Sequence, residues 1–458
     1  MKKFWLKKIW EGCKNLDVFN LGNSVIAYYI FMFGALPLSI FLRVPSKFIE
    51  YINSANLTGF FFGAKTIFYL VSGLVALALG YYFSGFILKK QRIRISAWLG
   101  WEWSPRMTAI VFGIVFIGSL IIKTLQILGG AYFHLGKNPI FTSSSFYGTI
   151  AFLDLLGPIS LAIAFALYFE LLKAGDRRFR VWRVVAWFFF SLELLYGLFS
   201  GSRFWAIVPI AVYLIIKHYL WSRSWLRIGV AAILIFFVIM PLQTFYKTPE
   251  IFFNSYYSPA HDYPSSLGSP TVIATKQFIF DNSVGRINNT QVVSHVFANT
   301  KNFAHGKTLW DFFISLGPPR FIWKNKPLSI NSQGNVFGRE IGVATPDDYK
   351  TSVGPTVVGD WYINFGLGEI ILGMLFLGFL YRFVFDALVN NLKPPLFGVV
   401  IYSIFWPQIM IGMEQWIAPV WAGLVKMAIL LFLLYYFLTS SWRSDLSRLR
   451  FLNKYLTV

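Results

Sequence analysis

The sequence predicts an all-α polytopic membrane protein with about ten transmembrane helices, and three observations carry this prediction. Of the 458 residues, 56% are hydrophobic and only 13% are charged, about half the charged share of a soluble domain. Apolar runs long enough to cross about 30 Å of hydrocarbon recur along the chain. Lys and Arg residues gather in the short links between these runs, a pattern typical of the cytoplasmic side of a membrane.

The apolar runs give ten predicted spans, and together they form a single integral membrane domain over residues 1–458. The predicted spans are 21–42, 66–88, 108–128, 149–171, 181–198, 204–220, 228–242, 363–385, 396–413 and 416–438. The basic links 89–94, 173–183 and 217–227 then fall on one face, which the positive-inside rule makes cytoplasmic. Both termini are therefore predicted in the cytoplasm, and segment 247–361 on the outside.

The net charge of +21 does not indicate a nucleic-acid partner, because the cations lie in the links between spans. Anionic lipid headgroups of the bilayer are their expected neighbours. The single cysteine, Cys13, excludes an internal disulfide and any metal cluster built on cysteine.

The long segment 247–361 is predicted to be an ordered extracytoplasmic loop that caps the active site with short helices. It is rich in aromatic residues, which bury enough surface to order a chain. Arginine and lysine are usually depleted on the outer side of a membrane, so those that occur there are candidates for a function. Their side chains are suited to bind phosphate oxygens. On this topology five candidates of that kind lie outside: Arg203, Arg286, Arg320, Lys326 and Arg339. The alternative is that each cation pairs with a carboxylate of the loop or with lipid phosphate.

The stretch FSGSRFWAI breaks a helical hairpin and places Arg203 at the start of the next span. A helix start adds positive potential for an anion, although arginine at a span end also snorkels to the interface. Glu193, inside the preceding span, is an expected partner for Arg203.

Asp360 in VVGDWYINFG is the first candidate for a general base, and its alternative role is to cap a helix. His295 and Glu414 are further candidates. No histidine pair has zinc-ligand spacing, and the cytoplasmic links carry no nucleotide signature. No metal or other cofactor is therefore expected. Trp323 and Trp416 are candidates for stacking on sugar rings, or for the interfacial tryptophan belt.

Two motifs resemble the Wzy-type O-antigen polymerases, which join oligosaccharide repeat units of bacterial surface polysaccharides. In that family a P-R-x-x-W-x-x-K-P run precedes a G-(E/D)-x-Y-x-N/D-F-G run, as PRFIWKNKP and GDWYINFG do here. GSRFWAI is similar to an upstream hairpin of the family. The similarity covers about residues 199–382.

The resemblance implies a GT-C-like membrane glycosyltransferase at the periplasmic face of a bacterial inner membrane. It would transfer the growing glycan from its polyprenyl-diphosphate carrier to a hydroxyl of an incoming lipid-linked repeat unit. A chain-length regulator and a flippase are the further partners it implies. The resemblance assigns Arg203, Arg286, Arg320 and Lys326 to the diphosphates, and adds Arg339 and Asn364 to the substrate-binding residues.

Two other functions remain open at this stage. An O-antigen ligase would share the architecture but transfer the finished glycan to a lipid A core. A flippase or transporter of lipid-linked oligosaccharide would instead line the middle of the membrane with polar residues.

Overall fold

The computed structural model describes eleven stretches of the chain. They are 17–41, 63–87, 105–128, 152–200, 202–223, 225–240 with 242, 289–318, 322–327, 334–340, 353–390 and 394–435. Within these stretches the secondary structure is helical and no strand occurs. Six of the described helices are long and apolar enough to cross a membrane. The predicted all-α membrane protein is confirmed at this level.

Fourteen helices are described, numbered here in chain order. They are α1 Leu21–Phe41, α2 Ala64–Ile87, α3 Pro105–Leu128, α4 Leu156–Lys173, α5 Phe179–Phe199, α6 Arg203–Leu220, α7 Trp225–Leu234, α8 Thr290–Asn299, α9 Lys307–Leu316, α10 Gly334–Glu340, α11 Thr356–Phe365, α12 Leu367–Leu388, α13 Leu396–Gly412 and α14 Ile417–Tyr435. A π-helical turn, Ile235–Ile239, continues α7.

The six helices of spanning length are α2, α3, α4, α5, α12 and α14. The other four predicted spans fall on shorter apolar stretches: Leu21–Gly34, Phe204–Leu220, Arg227–Ile239 and Leu396–Gly412. Each of the ten predicted spans thus coincides with a helix. Length and composition identify six of them as membrane spans.

The predicted span 363–385 differs from the structure, because the chain breaks there into two helices. Gly366 adopts φ +79° and ψ −149°, a conformation that residues with a Cβ rarely adopt. Helix α11 therefore ends at Phe365, and the spanning helix α12 starts only at Leu367. The GDWYINFG motif forms a separate short helix in front of the span.

Helices α2 and α12 pack in parallel with their backbones in contact. A Cβ added to Gly80 would lie 2.0 Å from the carbonyl oxygen of Leu375, and one added to Gly378 would lie 2.3 Å from that of Leu77. In a membrane, small residues of this kind let helices approach closely and gain dispersion contacts. The absence of side chains at both positions is what allows this interface.

Helix α4 is the most deeply buried of the six spanning helices. It packs against α3, α5, α6 and α13. Alanine, glycine and serine line much of its surface, as in LGPISLAIAFALYF, so that four neighbours fit around one helix. Helix α4 thus forms the centre of a group of helices that also contains α3, α5, α6 and α13.

The short helices α8–α11 lie together at one end of the bundle, called the loop end below. The backbone N–H of Asn289, at the start of α8, donates to the Met32 carbonyl of α1 (3.2 Å), and that of Val357 in α11 donates to Met413 (3.1 Å). Helix α8 also contacts α2, and α11 packs on α12. These helices come from the segment that the sequence predicts to be the cap.

The opposite end of the bundle is fixed by contacts between α6, α13 and the residues before α1. His218 Nε2 lies 3.0 Å from Asp17 Oδ1, and the Tyr219 hydroxyl donates to Asp17 Oδ2 (3.0 Å). The Tyr402 hydroxyl donates to the carbonyl of Phe19. Since α6 ends here and is 18 residues long, its first residue, Arg203, lies toward the loop end.

Candidate functional site

Asp360 lies at the centre of a buried polar cluster that joins three helices. The Thr308 hydroxyl of α9 donates to Asp360 Oδ1 (2.6 Å), and the backbone N–H of Ile417 donates to Asp360 Oδ2 (2.8 Å). Asn364 Nδ2 donates to Thr308 Oγ1 (2.6 Å) and to the Asp360 carbonyl (2.8 Å). Asp360 and Asn364 are both fully buried. We call these four residues the Asp360 cluster.

The contacts of Asp360 indicate what the carboxyl does in this arrangement. Ile417 is the first residue of α14, so Asp360 caps a helix that is distant in sequence. Of the two predicted roles, capping is therefore present, although the capped helix is α14 and not the one that follows Asp360. The structure brings the predicted residues Asp360 and Asn364 together, with Thr308 as a member that the sequence analysis missed.

Burial sets the ionisation of this carboxyl. Loss of hydration raises the pKa of Asp360 to about 6, and the hydrogen bonds from Thr308, Ile417 and Asn364 oppose the rise. The folded protein therefore takes up a proton at Asp360 at a higher pH than the unfolded chain does. The resulting stabilisation is complete below about pH 4 and is lost as the pH rises through about 6.

We expect the Asp360→Asn variant to reveal this linkage. Wild type should gain about 2 kcal/mol of unfolding free energy relative to Asp360→Asn as the pH falls from about 7 to about 4. Denaturant titrations of both proteins over this pH range would measure the difference. Asp176→Asn is the control, because Arg178 lowers the pKa of that exposed carboxyl and a gain of this sign is not expected. Parallel pH profiles for wild type and Asp360→Asn would contradict the prediction.

Three buried polar atoms around the Asp360 cluster lack a hydrogen-bond partner within the described residues. They are Asn364 Oδ1, Trp361 Nε1 and Trp416 Nε1. Buried polar atoms of this kind are uncommon in folded proteins, where the great majority are paired. Two of these atoms belong to the predicted substrate-binding residues Asn364 and Trp416, and within the described residues their hydrogen-bonding capacity is not used.

Helix α9 leads from the Asp360 cluster down the side of α14. Thr308 in its first turn is linked through Asp360 to Ile417, while the Ser315 carbonyl in its last turn accepts a hydrogen bond from Lys426 Nζ. Lys426 follows Ile417 by nine residues, a rise of about 13 Å along α14. Part of the predicted external cap thus lies alongside a helix of membrane-spanning length.

The SLGPPRFIWKNKP stretch follows α9, and its predicted site residues Lys326 and Trp323 lie there. Lys326 Nζ donates to the carbonyls of Gly317 (3.0 Å) and Pro318 (3.1 Å). It also lies 6.0 Å from the centre of the Trp323 ring, which is 40% exposed. Carbonyls at a helix end need partners where water is scarce, so Lys326 and Lys426 stabilise the end of α9.

Two further predicted residues lie in and beside the link between α13 and α14. Glu414 accepts a hydrogen bond from the Tyr28 hydroxyl of α1 and stays partly exposed. Trp416 is only 2% exposed, and Phe337 of α10 packs edge-on against it with ring centroids 4.9 Å apart. Trp416 therefore presents no open face for a sugar ring in this arrangement. Glu414 retains accessible surface.

The remaining predicted residues are placed as follows. His295 lies in α8 and Arg339 in the last turn of α10, and both side chains are partly exposed at the loop end. Arg203 is the first residue of α6, and its side chain lies outside the described part of the structure. Arg286 and Arg320 also lie outside the described residues.

A second buried polar cluster, which the sequence analysis missed as a unit, joins α3, α5 and the turn just before α4. Lys123 Nζ lies 2.8 Å from Glu193 Oε1 and 3.7 Å from Asp154 Oδ1. The Tyr196 hydroxyl contacts Gln126 and Asp154, and the Lys123 ammonium lies 4.0 Å from the centre of the Tyr196 ring. We call these five residues the Lys123 cluster.

The Lys123 cluster provides a described partner for Glu193. Both carboxylate oxygens of Glu193 are within 2.9 Å of Lys123 Nζ, so Lys123 neutralises this carboxylate, while the side chain of the predicted partner Arg203 lies outside the described part of the structure. Gly157 makes room for the pair, since an added Cβ would lie 2.5 Å from the Lys123 ammonium. The sequence did contain a signal for this pair: Lys123 is a lone lysine within an otherwise apolar span, and such a charge requires a buried partner.

Comparisons with known proteins do not identify this chain: no protein-family model, curated protein or solved structure matches it. The resemblance to the Wzy-type polymerases therefore depends on the two motifs and the GSR hairpin alone.

Proposed function

We propose that this protein is a polymerase of bacterial surface polysaccharide that uses lipid-linked oligosaccharides. It crosses the inner membrane ten times with both termini in the cytoplasm, and its loop end faces the periplasm. The observation that carries the proposal is the position of the GDWYINFG motif at the loop end. Helix α11, which contains most of this motif, packs with α8 and α9 at the end toward which α6 begins with Arg203, and the described part of the second motif, residues 322–327, follows α9.

The proposed reaction transfers the growing glycan between two lipid carriers. A hydroxyl of the incoming repeat unit attacks the anomeric carbon of the growing chain. The bond from that carbon to the diphosphate oxygen breaks, and the carrier diphosphate leaves with the bonding electron pair. The acceptor hydroxyl gives its proton to a base. Negative charge grows on the departing diphosphate, and fixed cations in a site with little water stabilise it.

Residue roles follow from this chemistry and from the positions described above. Arg203, Arg286 and Arg320 are proposed to hold the diphosphates, together with Lys326. Full burial and capping of α14 favour a positioning role for Asp360. Glu414 and His295 retain exposed surface and are the proposed candidates for the base. Asn364 and Trp416, whose side chains are 0% and 2% exposed, are proposed to position the substrate-binding surface from within rather than to contact the sugar.

Purified protein and synthetic polyprenyl-diphosphate repeat units provide the test. We expect a ladder of lengthening products without any nucleotide sugar, and Arg203→Ala or Arg320→Ala should each abolish it. Arg178→Ala is the matched control, because Arg178 lies exposed just before α5 and pairs with Asp176 (2.6 Å). That variant should retain the ladder.

Three outcomes would contradict this proposal. Unchanged substrate with wild-type protein would exclude polymerisation. Transfer to a lipid A core, with no ladder, would indicate a ligase. Full activity in both Arg203→Ala and Arg320→Ala would remove the site assignment, provided that both variants remain folded.

A second candidate function, from another class, is a flippase of lipid-linked oligosaccharide. The specific observation in its favour is the Lys123 cluster, because ionisable residues inside a membrane often line the path of a substrate or ion. Movement of the lipid-linked sugar across a vesicle bilayer, without any change in its length, would favour this function over polymerisation.

A further inference from the structure

Two ammonium groups converge on the carboxyl end of α9. Lys426 Nζ of α14 donates to the Ser315 carbonyl, and Lys326 Nζ donates to the carbonyls of Gly317 and Pro318. The carbonyls of three residues within 315–318 thus hold both cations. Lysine 426 was not among the residues that the sequence analysis selected.

The charge of Lys426 has no counter-charge in the described part of the chain. Among the described residues its polar contact is the neutral Ser315 carbonyl, and no described carboxylate lies within 4.0 Å of it. A cation within a spanning helix is costly to bury and is usually paired or part of a functional site. The neighbouring Lys326 adds repulsion, so an anion at this position would stabilise Lys426.

The segment that holds these ammonium groups, α9 and the turn after it, exposes apolar and aromatic side chains. Trp310 and Phe313 on α9 are 64% and 56% exposed, and their ring centroids are 4.8 Å apart. Ile322 and Trp323 in the following turn are 65% and 40% exposed. A ligand that matches both features has an anionic head and a long apolar tail.

We propose that Lys326 and Lys426 bind the diphosphate of a polyprenyl-diphosphate lipid, with its prenyl chain along Trp310 and Phe313. This site rests on the proposed function, to which it adds a location for one of the two lipid carriers. A diphosphate brings two neighbouring negative groups for two ammonium groups, whereas an ordinary phospholipid headgroup brings one phosphate. The site lies about 13 Å along α14 from Ile417 of the Asp360 cluster.

Binding of geranylgeranyl diphosphate to the full chain in zwitterionic nanodiscs tests this site. Lys426→Gln keeps a hydrogen-bond donor for the Ser315 carbonyl but removes the charge. Lys326→Gln also keeps a donor and removes the charge, at a position outside the spanning helix. Each should weaken binding about tenfold or more, because charged hydrogen bonds are lost. Lys426→Arg keeps the charge and should bind nearly as wild type does.

Lys65→Gln is the matched control. Lys65 also lies at the loop end and donates to a backbone carbonyl, that of Phe297 (3.4 Å), but it is distant in the chain from α9 and α14. Its replacement should leave the affinity unchanged. Geranylgeraniol, which lacks the diphosphate, and phosphatidylglycerol should compete poorly with the probe.

Equal affinity of wild type, Lys426→Gln and Lys326→Gln for the probe would overturn the proposed site. Equal competition by geranylgeraniol or phosphatidylglycerol would overturn the assignment to a diphosphate. The two proposals fail separately. Charge-dependent binding without a product ladder would contradict the polymerase and support the lipid site. A normal ladder with both glutamine variants would contradict the lipid site and the diphosphate role of Lys326, and would support the polymerase reaction.

Discussion

The Lys123→Met variant is expected to lose about 3–5 kcal/mol of unfolding free energy. Lys123 is the cation of the Lys123 cluster, and its removal leaves Glu193 and Asp154 buried together without a counter-charge. Their exposed fractions are only 3% and 2%, so water cannot replace the ammonium. Denaturant titration of the protein in detergent micelles would measure the loss.

The double variant Lys123→Met, Glu193→Gln shows how much of the loss comes from the uncompensated Glu193 carboxylate and how much from the missing ion pair. Removal of both charges should recover part of the loss, because an uncompensated carboxylate costs more than a missing ion pair. Lys173→Met is the control, since Lys173 is exposed at the end of α4. A single Lys123→Met variant as stable as wild type would show that the cluster does not hold α3, α5 and the turn before α4 together.

The Gly80→Val variant is expected to destabilise the α2–α12 interface by about 3 kcal/mol or more. The first atom of any side chain at this position would lie 2.0 Å from the carbonyl oxygen of Leu375. A backbone atom cannot rotate away as the end of a side chain can, so the two helices must separate along their contact. Thermal unfolding of the detergent-solubilised protein would report the effect.

Gly113→Val is the matched control for this substitution. Gly113 also lies in a spanning helix, α3, but an added Cβ would meet nothing within 4 Å. The same change in side-chain volume and helix propensity should therefore cost little there. Equal stability of the Gly80→Val and Gly113→Val variants would contradict a direct backbone contact between α2 and α12.

The site could be predicted from the sequence only in part. The motif GDWYINFG drew attention to Asp360 and Asn364, and the structure places both in one buried cluster. Thr308 and Ile417 complete that cluster, but they are more than 50 residues away from Asp360 and carry no local signal. Glu193 was recognised as a buried acid, yet its partner Lys123 precedes it by 70 residues.

The amino-acid sequence by itself determined the class of the protein and the positions of its apolar helices. Hydrophobicity and the minimum length of a membrane span are local properties, so they can be read from consecutive residues. The tertiary structure decided which charges neutralise each other, which helix Asp360 caps, and that α9 descends beside α14. Those contacts join residues that are far apart in the chain, and only the packing of the helices brings them within hydrogen-bonding distance.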